Sequence, residues 1–175
     1  DALTTGSYNV ALGTYALSSE DTGSGNVAIG REALENQNYD GTAYNIAIGY
    51  QTGKYITTGI QNTILGSVAG DALTTGSYNT TLGYGSLSVE STGSRNTAVG
   101  YEALRVQDYG GDGFNTAVGM WAGKAVTTGI SNVFLGYQAG VALTTGSNNI
   151  IIGKDAAASA VDVSNEITLG DGNIS

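Results

Sequence analysis

The chain has 175 residues, among them 28 glycines but no proline, cysteine or histidine, and its net charge is −9. No cysteine means no disulfide and no thiolate metal site, and no histidine removes the commonest general base and the usual catalytic triads. The six basic residues (Arg31, Lys54, Arg95, Arg105, Lys124, Lys154) are scattered, which excludes a nucleic-acid surface, and no apolar run nears the roughly 20 residues that span a bilayer.

The repeat starts at once. Asp1-Ala2-Leu3-Thr4-Thr5-Gly6-Ser7-Tyr8-Asn9 returns unchanged from Asp71 to Asn79, and again from Val141 to Asn149 with Val141 and Asn148 substituted. Inside this 70-residue period runs a shorter unit, Asn-x-x-Φ-Gly, where Φ is Leu, Ile or Val. Its glycines are Gly13, Gly30, Gly49, Gly66, Gly83, Gly100, Gly119, Gly136, Gly153 and Gly170, spaced 17 residues apart except for steps of 19 into Gly49 and Gly119. So short a period means stacked coils, each stabilised by its neighbours. The chain reads as one β-solenoid segment, residues 1–175, with four-coil blocks 1–70 and 71–140 and a partial block 141–175. Because it starts and stops inside the pattern, it reads as a piece of a longer fibre.

Each coil opens on an asparagine: Asn9, Asn26, Asn45, Asn62, Asn79, Asn96, Asn115, Asn132 and Asn149, with Glu166 in the tenth place. Stacked amides at a fixed phase predict a ladder of hydrogen bonds along the rod. The residue one past the asparagine is β-branched throughout (Val27, Ile46, Thr63), and the residue three past it is always aliphatic (Ile29, Ile48, Leu65). These positions share one face of a strand, so that face is expected to be buried. After the glycine comes a second segment whose third residue is small, as in Ala33, Ala69 and Ala103. It predicts a second short strand per coil, and two parallel sheets about 10 Å apart in a rod about 48 Å long. The small residues would let another sheet or another chain approach.

One position alternates. Leu17, Leu34, Leu87 and Leu104 in some coils are Gly53, Gly70, Gly123 and Gly140 in others, where an aliphatic residue follows three positions on (Ile56, Leu73, Val126, Leu143). In the leucine coils that place is assigned to Glu20, Tyr39, Glu90 and Tyr109. Core filling at constant volume accounts for the swap.

The units Asn26-Val27-Ala28-Ile29-Gly30 and Asn96-Thr97-Ala98-Val99-Gly100 resemble the head repeats of YadA-like trimeric adhesins. The longer Thr-Thr-Gly-x-x-Asn-x-x-Φ-Gly-Tyr-x-Ala-Gly unit is more similar to versions found in bacteriophage tail fibres. The stretch from Ser164 to Ser175 resembles the region preceding an endosialidase-type intramolecular chaperone in such fibres. The resemblance covers nearly the whole chain, although its coils are longer than the usual head repeat. It implies an all-β, left-handed parallel β-roll of about ten coils, assembled as a side-by-side or intertwined homotrimer, on a virion fibre or another extracellular surface. Thin solenoid cores point to oligomerisation independently.

The 19-residue coils are expected to bulge, at Asn38–Tyr44 and Asp108–Phe114, about 19 Å apart along the rod. Their aromatic and acidic residues Tyr39, Asp40, Tyr44, Tyr109, Asp112 and Phe114, joined by the nearby Trp121, are candidate contacts for a cell-surface glycan or protein receptor. Asp40, Asp108 and Asp112 are the best acidic set for cleaving a polysaccharide, but solvated loop residues account for them and no enzyme is expected. Neither an EF-hand nor a calcium β-roll motif is present, so no metal or cofactor is expected. The Thr-Thr corners (Thr4, Thr57, Thr74, Thr127, Thr144) raise an ice-binding alternative, against which stands the adjacency of the paired threonines. The function expected is a non-enzymatic, receptor-facing rod of a phage-type tail fibre. A bacterial trimeric autotransporter head is the nearest alternative, with a depolymerase spike more remote.

Overall fold

The structure, a computed structural model, describes residues 5–172, so the expectations at Asp1–Thr4 and at residues 173–175 lie outside it. Among the described residues there is no helix; ten three-residue strands stack in chain order into one parallel sheet. They are β1 (Val10–Leu12), β2 (Val27–Ile29), β3 (Ile46–Ile48), β4 (Thr63–Leu65), β5 (Thr80–Leu82), β6 (Thr97–Val99), β7 (Thr116–Val118), β8 (Val133–Leu135), β9 (Ile150–Ile152) and β10 (Ile167–Leu169). Register is like on like, as in Val27 beside Ile46 and Ile29 beside Ile48. The chain is a β-solenoid with one strand per coil.

The second strand expected in each coil is not there. The segment after the glycine turns twice through the left-handed region, at Gln51 (φ 54°) and Gly53 (φ 57°) or at Glu102 (φ 52°) and Leu104 (φ 48°). Extended pairing cannot continue through such residues. The rung-to-rung bonds persist without it, for example from Gly53 N–H to Ala69 C=O at 3.0 Å and from Gln51 N–H to Arg31 C=O at 2.9 Å.

The buried strand face is also the opposite of the expected one. From β2 to β9 the middle residue points inward and is fully buried: Ala28, Ala47, Ile64, Thr81, Ala98, Ala117, Phe134 and Ile151. The aliphatic and β-branched flanking residues face outward, Leu82 at 47% exposure and Leu135 at 46%. A coil that doubles back so tightly has room for one inward side chain per strand. The small residues Ala33, Ala69 and Ala103, expected to admit a neighbouring chain, close the same interior from the opposite wall and are fully buried.

The Leu/Gly alternation fills that interior, with one reassignment. Beneath the leucines the buried partners three residues on are Glu20, Gln37, Glu90 and Gln107, so Gln37 and Gln107 take the places assigned to Tyr39 and Tyr109. The alternating position is itself left-handed, from Leu34 (φ 48°) to Gly140 (φ 62°), where leucine is strained and glycine is not. A Cβ on Gly123 or Gly140 would stand 2.7 or 2.3 Å from the Phe134 ring, so these two glycines make room for the largest core side chain.

Candidate functional site

The asparagines form a continuous ladder. Each side-chain oxygen accepts the backbone N–H of the next coil's asparagine, from Asn26 on Asn9 (2.8 Å) to Asn149 on Asn132 (2.9 Å), and Glu166 N–H closes the series on Asn149 (2.9 Å). Most amide groups also donate to a carbonyl fourteen residues on, as Asn62 does to Gly76 at 2.9 Å. The glycine ending each unit holds φ between 127° and 140° from Gly13 to Gly153. These residues are framework. Beside them the Thr57, Thr74, Thr127 and Thr144 hydroxyls donate to carbonyls of the following coil at 2.9–3.3 Å, which uses the Thr corners as staples; Thr4 lies outside the described residues.

Three surfaces remain for function. The first is the outward strand face, an unbroken aliphatic file from Leu12 through Leu65 and Leu82 to Leu169 with a β-branched file beside it. A third file borders it, the residue preceding each asparagine, and there the backbone is left-handed at Tyr8, Tyr44, Tyr78, Arg95 and Phe114. Tyr44 and Phe114 therefore stand at the edge of the strand face and not at a loop tip. Arg95 lies over Tyr78 (4.9 Å) and Phe114 (5.9 Å) and pairs with Asp112 at 3.0 Å.

The second surface is the pair of long coils. Tyr39 and Tyr109 fold back over Gly41 and Gly111, with 2.8 and 2.9 Å from ring to the place of a glycine Cβ. Their backbone N–H groups donate to the buried carboxylates of Glu20 (3.4 Å) and Glu90 (3.1 Å). Asp40 accepts from the Thr22 hydroxyl at 2.8 Å, and Asp108 accepts from Ser91 at 3.3 Å. The proposed acidic set is not brought together: Asp40 lies four rungs, about 19 Å, from the other two, beyond the reach of a glycosidase pair. Trp121 does not join these loops either; its ring neighbours are Tyr101 and Tyr137.

The third surface follows the glycine corner. Tyr84 stacks on Tyr101 with centroids 5.4 Å apart, Tyr101 meets Trp121 edge-on at 6.3 Å, and Trp121 reaches Tyr137 at 6.0 Å. Glu102 lies below this file, accepting from Trp121 Nε1 at 3.0 Å and pairing with Lys124 at 2.7 Å and Arg105 at 3.4 Å. The Lys124 contact, foremost among these, lowers the Glu102 pKa. One block earlier Glu32 binds Lys54 at 2.8 Å, Gln51 at 2.7 Å and Arg31 at 2.8 Å, and its pKa falls to about 2 with Lys54 again the largest cause. The aromatic file was not foreseen. Subtracting one 70-residue block from the other shows it, because the same four places in the first block are Thr14, Arg31, Gln51 and Ser67.

Among the described residues no group of three or more Asp or Glu side chains is placed to hold a metal ion, and no helix is long and apolar enough to cross a membrane. The fold defines the class as a parallel β-solenoid. Comparison with protein-family models, curated proteins and solved structures gave no match.

Proposed function

We propose that the chain is a rod-forming, receptor-facing module of a homotrimeric fibre of the phage tail-fibre type, non-enzymatic and extracellular. The observation that carries this reading is the outward aliphatic file, present at every strand from Leu12 to Leu169. A file of half-exposed Leu, Ile and Val is a large apolar patch for a chain otherwise this acidic, and covering it contributes about 1 kcal/mol per residue. Copies packed in parallel about an axis along the rod bring each rung against its own counterpart, so the interface repeats with the coil and closes without an open end. Three copies is the number implied by the likeness to adhesin head repeats. Each surface feature is then displayed three times, and weak contacts to a host surface multiply.

Light scattering at micromolar concentration tests the assembly, with an expected mass of three 17.7 kDa chains. Leu82→Asp with Leu135→Asp places charge at two rungs of the file and is expected to abolish the trimer. A folded wild-type monomer at that concentration overturns the proposal.

A further inference from the structure

The two blocks share a scaffold but not a surface. The ion pair of Glu32 and Lys54 at 2.8 Å recurs as Glu102 and Lys124 at 2.7 Å. Around it Asn36 is replaced by Val106, Gln51 by Trp121, Tyr55 by Ala125 and Asp71 by Val141. The exchange of Tyr55 for Ala125 opens space, and a hollow of about 470 Å³ lies beside Trp121, walled by Val106, Lys124, Ala125, Gln138 and Val141. A second hollow of about 240 Å³ lies toward Tyr84, with Asp71, Glu102 and Arg105 in its wall. Glu102 touches both ends, through Arg105 on one side and through Lys124 and Trp121 on the other. Among the described residues, the only ring-to-ring contacts are those of this file.

Whatever the coil requires recurs in both blocks, as the asparagines, glycines and outward aliphatics do. Whatever a parallel assembly requires must recur too, since its rungs are equivalent. The aromatic file occupies one block only, so neither folding nor assembly accounts for it.

We propose that this groove binds an uncharged, linear, pyranose-based polysaccharide lying along the rod. Rungs about 4.8 Å apart match the advance of roughly one sugar ring along an extended glycan. The half-exposed rings of Tyr84, Tyr101 and Tyr137, with Trp121 capped by Lys124 Nζ at 5.0 Å, form an apolar wall for sugar C–H groups, while Glu102, Lys124 and Gln138 offer acceptors and donors for hydroxyls, the mixture of apolar wall and few polar groups typical of ligand sites. Asp71 Oδ1 is buried and accepts no hydrogen bond, an acceptor suited to a hydroxyl. The groove's acidic groups, Glu102 and Asp71 (whose pKa burial pushes up), stand against Arg105 and Lys124 in a chain of net charge −9, so the site suits a neutral polymer and has no cluster of positive charge for a polyanion. This deepens the attachment reading by naming a ligand class, and it rests on that reading only for where such a glycan is met.

Trp121 is the sole tryptophan, so its emission reports on this site alone. The assembled protein is titrated with cellohexaose, maltohexaose, laminarihexaose and chitohexaose, and applied to an array of neutral bacterial surface polysaccharides. At least one neutral glycan is expected to bind, with a saturable change in Trp121 emission. Ala125→Tyr and Tyr101→Arg each restore the first block's residue, which the scaffold already tolerates there, and are expected to weaken binding tenfold or more. Silence of every neutral glycan, or unchanged binding in both variants, overturns the groove. Adsorption of the fibre to host cells separates the two proposals: adsorption by a fibre that binds no neutral glycan removes the groove and keeps attachment. A trimer that binds a hexaose but adsorbs to no cell removes attachment and keeps the groove.

Discussion

Asn62 Oδ1 accepts the backbone N–H of Asn79 at 2.9 Å, and Asn62 Nδ2 donates to Gly76 C=O at 2.9 Å, so one amide ties two places of the next coil. Repeated along the stack, this fixes where each strand begins and thereby the register of the outward file. Both bonds of Asn62 are buried, and removing the amide strands two backbone groups away from water. Asn62→Ala is expected to lower stability by about 2–4 kcal/mol in urea unfolding. Asn9→Ala breaks the equivalent bonds at a part-buried place that water reaches, and is expected to cost about half as much.

The glycine after each strand is required by contact as well as by dihedral. At Gly30 (φ 131°) a Cβ would stand 2.2 Å from Gly49 C=O, which is fixed backbone and cannot swing aside. Gly30→Ala is therefore expected to destabilise by more than about 3 kcal/mol or to prevent folding. Gly172→Ala is the matched control, since nothing lies within 4 Å of its Cβ position, and thermal unfolding should be unchanged.

The stacking was legible because the coil recurs at fixed phase, and the period alone demanded it. The buried face was not. Both strand faces are apolar in most coils, and ranking by hydrophobicity favours Ile29 over Ala28, yet Ala28 is the one inside. Volume was the better guide: Phe134, the largest middle residue, coincides with Gly123 and Gly140 across the interior. The second segment misled because a parallel solenoid keeps its rung-to-rung bonds through turns, so alternation and hydrogen-bonded stacking do not require a strand. Among the candidate contacts, Trp121 stood alone in the sequence, and the rings flanking it were hidden because Tyr101 and Tyr137 occupy a position that tyrosine also takes at Tyr50.

The Leu/Gly alternation can be transplanted. Leu87→Gly removes a fully buried leucine, with an expected loss of about 2–4 kcal/mol after the relief of its left-handed strain. Adding Glu90→Leu copies the Gly70 and Leu73 arrangement of the preceding coil and refills the space. Recovery stays partial, because Gly93 N–H (2.7 Å) and Tyr109 N–H (3.1 Å) lose the Glu90 carboxylate as acceptor. Glu90→Leu alone, crowded against Leu87, should be worse than the additive expectation from the other two variants. A double-mutant cycle should therefore give favourable coupling, and additivity would mean that the two positions do not share one space.

Acid should loosen the first block through Glu32. Its pKa is lowered from the ordinary 4.5 to about 2, first by Lys54 and then by Gln51 and Arg31. A carboxyl held lower in the folded state binds fewer protons there than in the unfolded chain, so its stabilisation is complete above pH 4.5 and is lost as pH falls toward 2. Thermal unfolding followed between pH 6 and pH 2 should show a falling midpoint across that window. Glu32→Gln should flatten the fall and lower the midpoint at neutral pH, where the charged contacts with Lys54 and Arg31 are missing. Glu102, whose pKa is lowered by Lys124, should add a loss of the same sign, so Glu32→Gln with Glu102→Gln should flatten the profile further than either alone. An identical acid slope in wild type and double variant would show that these two clusters do not set the acid response.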